Sequence, residues 1–152
     1  MQKVGECTLT INRFNVFFDN PEHGWLPVTM QFNGEELELD VSDVPVNPIC
    51  ELISALLDIS ESRSKKITWF LEPVECELTF TVTGDFTTLE LSLNDKSLGY
   101  SIEIETNVML LTFWRALRKF ETFEVKDHWE IPKQCIAELT LKINEIKKET
   151  AN

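Results

Sequence analysis

Residues 75–105 constrain the fold most, because apolar and polar residues alternate strictly through three consecutive segments. Apolar side chains occupy every second position in three runs, 76–82, 89–93 and 98–104. The turn sequences Gly84-Asp85 and Asn94-Asp95-Lys96-Ser97 separate these runs. A period of two predicts strands with one face on a core and the other in water. This stretch therefore predicts three successive antiparallel strands.

Further strands are expected earlier in the chain. Residues 7–18 are strand-like, and a change of apolar parity predicts a bulge or bend near Asn12-Arg13. Residues 26–32 and 37–41 also alternate, and Asn33-Gly34 between them predicts a type I′ hairpin. Pro27 favours an edge position or the start of its strand.

Three helices are expected. Asn47-Pro48 opens the first, whose apolar stripe is Ile49, Leu52, Ile53, Leu56 and Leu57. The second covers residues 107–123. The third covers residues 132–148, and its narrow apolar stripe predicts loose docking or a dimer contact. Glu138 is placed four residues before Lys142, which predicts an ion pair between them. Residues 66–71 form a short strand that is apolar on both sides, which favours a central or doubly covered position.

The order of these elements predicts an α+β fold. We expect a mostly antiparallel, strongly twisted sheet of about six to seven strands, in the order βββα-ββββ-αα, with helices packed on one face. The chain is expected to form a single domain over residues 1–149, with residues 150–152 frayed.

The charge of the chain is negative and unevenly distributed. The formal net charge is −12, from 26 acidic and 14 basic residues. Residues 115–152 hold eight of the bases and seven of the acids, which leaves six bases and 19 acids in residues 1–114. The electrostatic field of this negative charge predicts a cationic partner. It argues against binding to nucleic acid or to a membrane surface. The alternative is that the charge only maintains solubility.

The beginning of the sequence and the cysteines indicate a cytoplasmic location. Residues 1–6 lack the apolar run of a secretory signal. Cys7, Cys50, Cys76 and Cys135 are scattered and contain no Cys-x-x-Cys pair, a pattern typical of reduced thiols. Disulfide pairing remains an alternative, and the spacing does not choose among its three connectivities.

The sequence favours a protein without catalytic residues, metal ligands or cofactors. The only histidines, His23 and His128, lack partners at metal-ligand spacing, although each follows an acid. Cys50 is the most interesting thiol, because a helix N-terminus lowers a thiol pKa, but no neighbouring base is evident. Trp25 and Trp129 lie in loops, where we expect them to cover the core rather than mark a binding edge.

The remaining feature is an acidic sheet face. If the alternation is right, eight carboxylates lie away from the helices and form a partner-binding surface: Glu36, Glu38, Asp40, Glu75, Glu77, Glu90, Glu103 and Glu105. Like charges on neighbouring strands are unfavourable, and binding a cation would compensate for that repulsion. The alternative is a merely solvated face whose repulsion is screened by salt.

In size, acidity and α+β organisation, the chain resembles the immunity proteins with which bacteria neutralise toxins. The resemblance implies a non-enzymatic protein whose acidic face covers the basic active site of a toxin. Two alternatives remain. One is a small-ligand binder or enzyme with a pocket near Trp69, Tyr100 and Trp114. The other is a homodimeric adaptor that associates through the third helix or a sheet edge.

Overall fold

The computed structural model describes residues 12–94, 96–125 and 129–151. It contains seven strands and three helices in the predicted order. The elements are β1 (Phe14–Phe18), β2 (Trp25–Phe32), β3 (Glu35–Ser42), α1 (Pro48–Ser60), β4 (Lys65–Phe70), β5 (Glu75–Thr83), β6 (Phe86–Leu93), β7 (Lys96–Glu105), α2 (Thr106–Phe120) and α3 (Lys133–Ala151).

The α+β class is confirmed, but the strands form two antiparallel sheets rather than the predicted single sheet. The first sheet has the order β1-β2-β3 and the second has the order β4-β5-β6-β7. Helix α1 intervenes between β3 and β4, and these two strands come close without pairing. Alternation determines which face of a strand is buried, but it does not determine whether strands on either side of a helix join in one ladder.

The hairpin between β2 and β3 forms as predicted. Asn33 and Gly34 have φ angles of 52° and 90°, as a type I′ turn requires, and Phe32 pairs with Glu35 across it. This turn fixes the register, so that Val28, Met30 and Phe32 face the core.

Pro27 lies near the start of its strand, as expected, whereas the position of β4 differs from expectation. β2 is central in the first sheet, and Pro27 is accommodated because the ladder with β1 ends at the pair Phe18 and Val28. The amide of Asp19 donates to the Pro27 carbonyl, and the missing N–H of proline ends the pairing there. β4 is an edge strand, and its buried side chains Ile67 and Trp69 alternate with half-exposed ones.

The predicted bulge near Asn12-Arg13 falls at the boundary of the described residues. β1 begins at Phe14, and its buried side chains Phe14, Val16 and Phe18 follow the expected even parity. The odd-numbered half of the predicted strand, including Cys7, lies outside the described residues.

Helix α1 begins at the predicted cap. The Asn47 side-chain oxygen accepts hydrogen bonds from the amides of Ile49 (2.9 Å) and Cys50 (3.3 Å), and Pro48 occupies the first turn. The side-chain amide of Asn47 also donates to the carbonyl of Glu130 at 3.1 Å. Asn47 therefore joins the start of α1 to the segment that precedes α3.

Helix α2 packs against both sheets. Its contacts reach β1 in the first sheet and β6 and β7 in the second. The fully buried ring of Phe113 lies 5.3 Å from the ring of Phe14 and 6.1 Å from that of Phe80, measured between centroids. One side chain of α2 thus touches a residue from each sheet.

Helix α3 is more firmly packed than predicted. Its stripe residues Ile136, Leu139 and Ile143 are buried, and the helix contacts α1 and α2. Lys142 does not pair with Glu138 as expected, because its ammonium donates to the Glu61 carboxylate, 2.8 Å away, just beyond α1. The apolar stripe of α3 is therefore covered within the chain.

We predict that Asn47→Ala lowers the free energy of unfolding by about 1–2 kcal/mol, because it removes the cap of α1 and the hydrogen bond to Glu130. Asn47→Asp is the matched control, since it keeps an oxygen for the cap but loses the donor. Urea denaturation measures both variants. Equal stability of Asn47→Ala and the parent chain would contradict the assigned cap.

We also predict that Phe113→Ala costs about 3–5 kcal/mol, because it opens a cavity where α2 meets both sheets. Phe86→Ala removes a ring that is 45% exposed and should change stability by no more than about 0.5 kcal/mol. Similar losses in the two variants, measured by denaturant unfolding, would refute the central position of Phe113.

Candidate functional site

The first group of predicted binding residues lies along β3. Glu36, Glu38 and Asp40 are exposed and alternate with Leu37, Leu39 and Val41, of which Leu39 and Val41 are buried. Side chains two residues apart on one face are about 7 Å apart along the strand. The Gln31 side-chain amide donates to Glu36 at 3.2 Å. The three carboxylates form a row along the edge strand of the first sheet.

The second group lies on the second sheet. Glu75 and Glu77 are on β5, Glu90 is on β6, and Glu103 and Glu105 are on β7. All are exposed except Glu77, which is half-buried. The buried side chains of the same strands occupy the alternating positions. The predicted outward parity is therefore present, but the eight carboxylates are divided between two sheets instead of sharing one.

The strand register keeps these carboxylates from facing each other directly. Glu77 is opposite Thr68 and Ser92, Glu90 is opposite Thr79 and Ser101, and Glu103 is opposite Thr88. On β3, the residues opposite the acids are Gln31, Thr29 and Pro27. The repulsion expected from like-charged cross-strand pairs is consequently smaller than the sequence suggested.

Three carboxylates of the second sheet are diagonal neighbours. Glu90 is two residues from Ser92, the partner of Glu77, and Glu103 is two residues from Ser101, the partner of Glu90. Diagonal neighbours of this kind lie about 7–8 Å apart, within the screening length of physiological salt. We call Glu77, Glu90 and Glu103 the diagonal stripe.

Hydroxyl groups and one lysine contact the stripe. Ser92 donates to Glu77 at 3.3 Å, Thr88 donates to Glu103 at 3.4 Å, and the Lys66 ammonium lies 3.4 Å from Glu77. Lys66 provides the one ion pair to any of the eight carboxylates within the described ranges.

Four other cations of the described residues pair with acids outside this set of eight. Arg63 and Lys65 contact Asp58 at the end of α1, Arg118 contacts Glu121 after α2, and Lys142 contacts Glu61. These pairs lie at the ends of α1 and α2, with partners on β4 and α3. Seven of the eight sheet carboxylates therefore have no ion-pair partner within the described residues.

Aromatic side chains accompany the acids of the first sheet. Phe17 is 49% exposed and is opposite Thr29, which is itself opposite Glu38. Sequence reasoning missed Phe17; the signal was its odd position between the even-numbered core residues of β1.

Trp25 borders an open cavity instead of covering the core. The cavity, of about 380 Å³, is lined by Glu22, His23, Trp25, Pro27, Asp40 and Leu71. Asp40 therefore lies beside a half-buried indole. Trp129, by contrast, is 4% exposed and packs edge-on against Phe120, which confirms its predicted role as a cover for the core.

The environment of Cys50 is the opposite of that expected for a nucleophile. Burial, a hydrogen bond to Cys135, and the nearby Glu130 and Glu51 raise the pKa of Cys50 to about 12. The helix N-terminus was expected to lower this pKa, and desolvation outweighs it. No group of three or more His, Cys, Asp or Glu residues positioned to hold a metal is present in the described residues, which exclude His128.

The aromatic residues of the predicted ligand pocket are engaged in packing. The buried indole of Trp69 donates to the Pro48 carbonyl at 3.2 Å. Trp114 donates to Thr140 at 2.9 Å and lies under the Lys147 ammonium, 4.6 Å from the ring centroid. Tyr100 packs against Phe32, with centroids 5.5 Å apart.

Within the described residues, no helix has both the length and the apolar character needed to cross a membrane. No family model matches the chain, and comparison with curated proteins and with solved structures likewise gives no match.

Proposed function

We propose that this chain is a non-enzymatic interaction protein that binds a cationic protein partner through the carboxylates of its two sheets. The proposed binding residues are those identified from sequence: Glu36, Glu38, Asp40, Glu75, Glu77, Glu90, Glu103 and Glu105. One observation carries the proposal. Seven of these eight carboxylates have no ion-pair partner in residues 12–94, 96–125 and 129–151, although they are exposed on ordered strands.

The spacing of the carboxylates favours a protein over a small cation. Rows and diagonals with intervals of about 7 Å place the charges too far apart to coordinate one ion together. They suit a partner that presents several lysine or arginine side chains on one surface. Such complementary fields accelerate encounter and exclude partners of the wrong charge.

The aromatic residues of the first sheet supply an apolar component. Phe17 and Trp25 stand on the same side of the sheet as Glu38 and Asp40, in the pattern fixed by the register. Protein interfaces are enriched in aromatic side chains, which give contact area that carboxylates alone do not provide.

Neutralisation of a toxin is the biological role that we propose for this binding. An acidic protein of this size could cover the cationic active site of a nuclease toxin and exclude its substrate. This part of the proposal rests on the resemblance in size, acidity and α+β organisation. A toxin reading frame immediately upstream of this gene would support it.

We predict that reversing the diagonal stripe, with Glu77→Lys, Glu90→Lys and Glu103→Lys together, abolishes capture of cationic proteins from a lysate of the source cells. Reversing Glu36, Glu38 and Asp40 together should weaken capture at least about tenfold, because steering and contact both depend on the lost charges. Capture is measured by affinity purification and quantitative mass spectrometry.

The matched control reverses Glu124, Glu130 and Glu138, which are exposed, lie outside both sheets and change the net charge equally. This variant should retain capture. We expect all three variants to fold, because an exposed ion pair such as Lys66–Glu77 contributes at most about 1 kcal/mol to stability. Circular dichroism checks that they do. Unchanged capture by both sheet variants would remove the sheets from the proposal.

The homodimeric adaptor is the second hypothesis that the structure bears on. The buried stripe of α3 is not available for it, which leaves the sheet edges and exposed residues such as Leu141. We predict a monomer in sedimentation velocity at low and high salt, and salt-sensitive binding of the captured partner. A dimer that persists equally at both salt concentrations would favour the adaptor.

A further inference from the structure

Two cysteines from distant parts of the chain meet where α1 and α3 begin. Cys50 lies in the first turn of α1 and Cys135 in the first turn of α3, 85 residues later. Their sulfur atoms are 3.2 Å apart and both side chains are partly exposed. The scattered spacing of the cysteines gave no indication of this contact.

The surrounding structure holds the two sulfurs together. Asn47 accepts a hydrogen bond from the Cys50 amide with its side-chain oxygen and donates from its nitrogen to the Glu130 carbonyl, ahead of α3. Helices α1 and α3 also pack against one another. The contact is therefore fixed from both sides by interactions that do not involve the sulfurs.

We propose that Cys50 and Cys135 are an oxidisable pair that forms an intramolecular disulfide on exposure to a disulfide oxidant such as oxidised glutathione. A disulfide needs the sulfur atoms to approach to about 2.05 Å, so that a shift of roughly 1 Å closes the bond. Side-chain rotation supplies a shift of this size without rearranging either helix.

The reaction proceeds by two thiol–disulfide exchanges. One protein thiol loses its proton and its sulfur attacks oxidised glutathione, which breaks the glutathione S–S bond and releases one reduced glutathione. The second protein thiol then loses its proton, and its sulfur attacks the protein sulfur of the mixed disulfide. This attack releases a second reduced glutathione. Two protein thiols are oxidised, and one oxidised glutathione is reduced to two thiols.

The environment of Cys50 slows attack by its thiol at neutral pH, and the adjacent sulfur directs the reaction to the internal bond. Burial, the contact with Cys135, and the carboxylates of Glu130 and Glu51 all disfavour the thiolate of Cys50. The rate of exchange should therefore rise with pH. Once a mixed disulfide forms, the second protein sulfur is already adjacent to it. Attack by this sulfur is therefore faster than attack by a second glutathione molecule.

The test uses the full-length chain carrying Cys7→Ser, which removes the cysteine that lies outside the described residues. The protein is incubated with excess oxidised glutathione, its free thiols are alkylated, and its mass and peptides are determined. We expect the loss of two hydrogens, a cross-linked peptide pair containing Cys50 and Cys135, and a buried Cys76 that is neither cross-linked nor joined to glutathione.

The bond should also change thermal stability. Closing a loop of this length restricts the unfolded chain, and the melting temperature should rise by about 5–10 °C and return on reduction with dithiothreitol. Cys50→Ser and Cys135→Ser, each in the same background, should abolish both the cross-link and the rise. Three results for the Cys7→Ser protein would each overturn the proposal: a persistent glutathione adduct, a disulfide-linked dimer, or an unchanged mass.

Discussion

The fold depends on the contacts that Phe113 makes with a residue from each sheet. Its ring touches Phe14 in the first sheet and Phe80 in the second, so the inward faces of both sheets share α2 as a packing partner. Burial of one face of each strand leaves the alternating positions outside. The outward position of the acidic side chains therefore follows from the same packing that forms the core.

Several ion pairs lie at the ends of the helices, away from most of the sheet carboxylates. Arg63, Arg118 and Lys142 pair with acids at the ends of the helices, whereas the carboxylates of the diagonal stripe lie opposite threonine and serine across the strands. That register reduces repulsion without neutralising the charge. The sheets can therefore remain both folded and strongly negative, which is the property that a binding surface for cations requires.

The sequence was sufficient for the order of the elements because each has a strong local signal. The alternation of residues 75–105, the Asn33-Gly34 turn and the Asn47 cap depend only on neighbouring residues. The split into two sheets, the edge position of β4 and the pairing of Lys142 with Glu61 depend on how distant segments pack. Periodicity carries no information about such contacts.

The same distinction applies to the candidate site. Outward parity was predictable for all eight carboxylates, but the diagonal relation of Glu77, Glu90 and Glu103 required the register between strands. The cavity beside Trp25 and Asp40 depends on the path of the loop before β2. The contact between Cys50 and Cys135 depends on the docking of α3 on α1. None of these relations leaves a local pattern in the sequence.

Carboxyl-group footprinting tests the central claim most directly, because it reports the accessibility of the acidic side chains themselves. Carbodiimide coupling followed by peptide mapping would compare the free protein with its complex with the captured cationic partner. We predict that Glu38, Glu90 and Glu103 lose labelling in the complex while Glu138 keeps it. Unchanged labelling of the sheet residues, with protection confined to the helices, would contradict it.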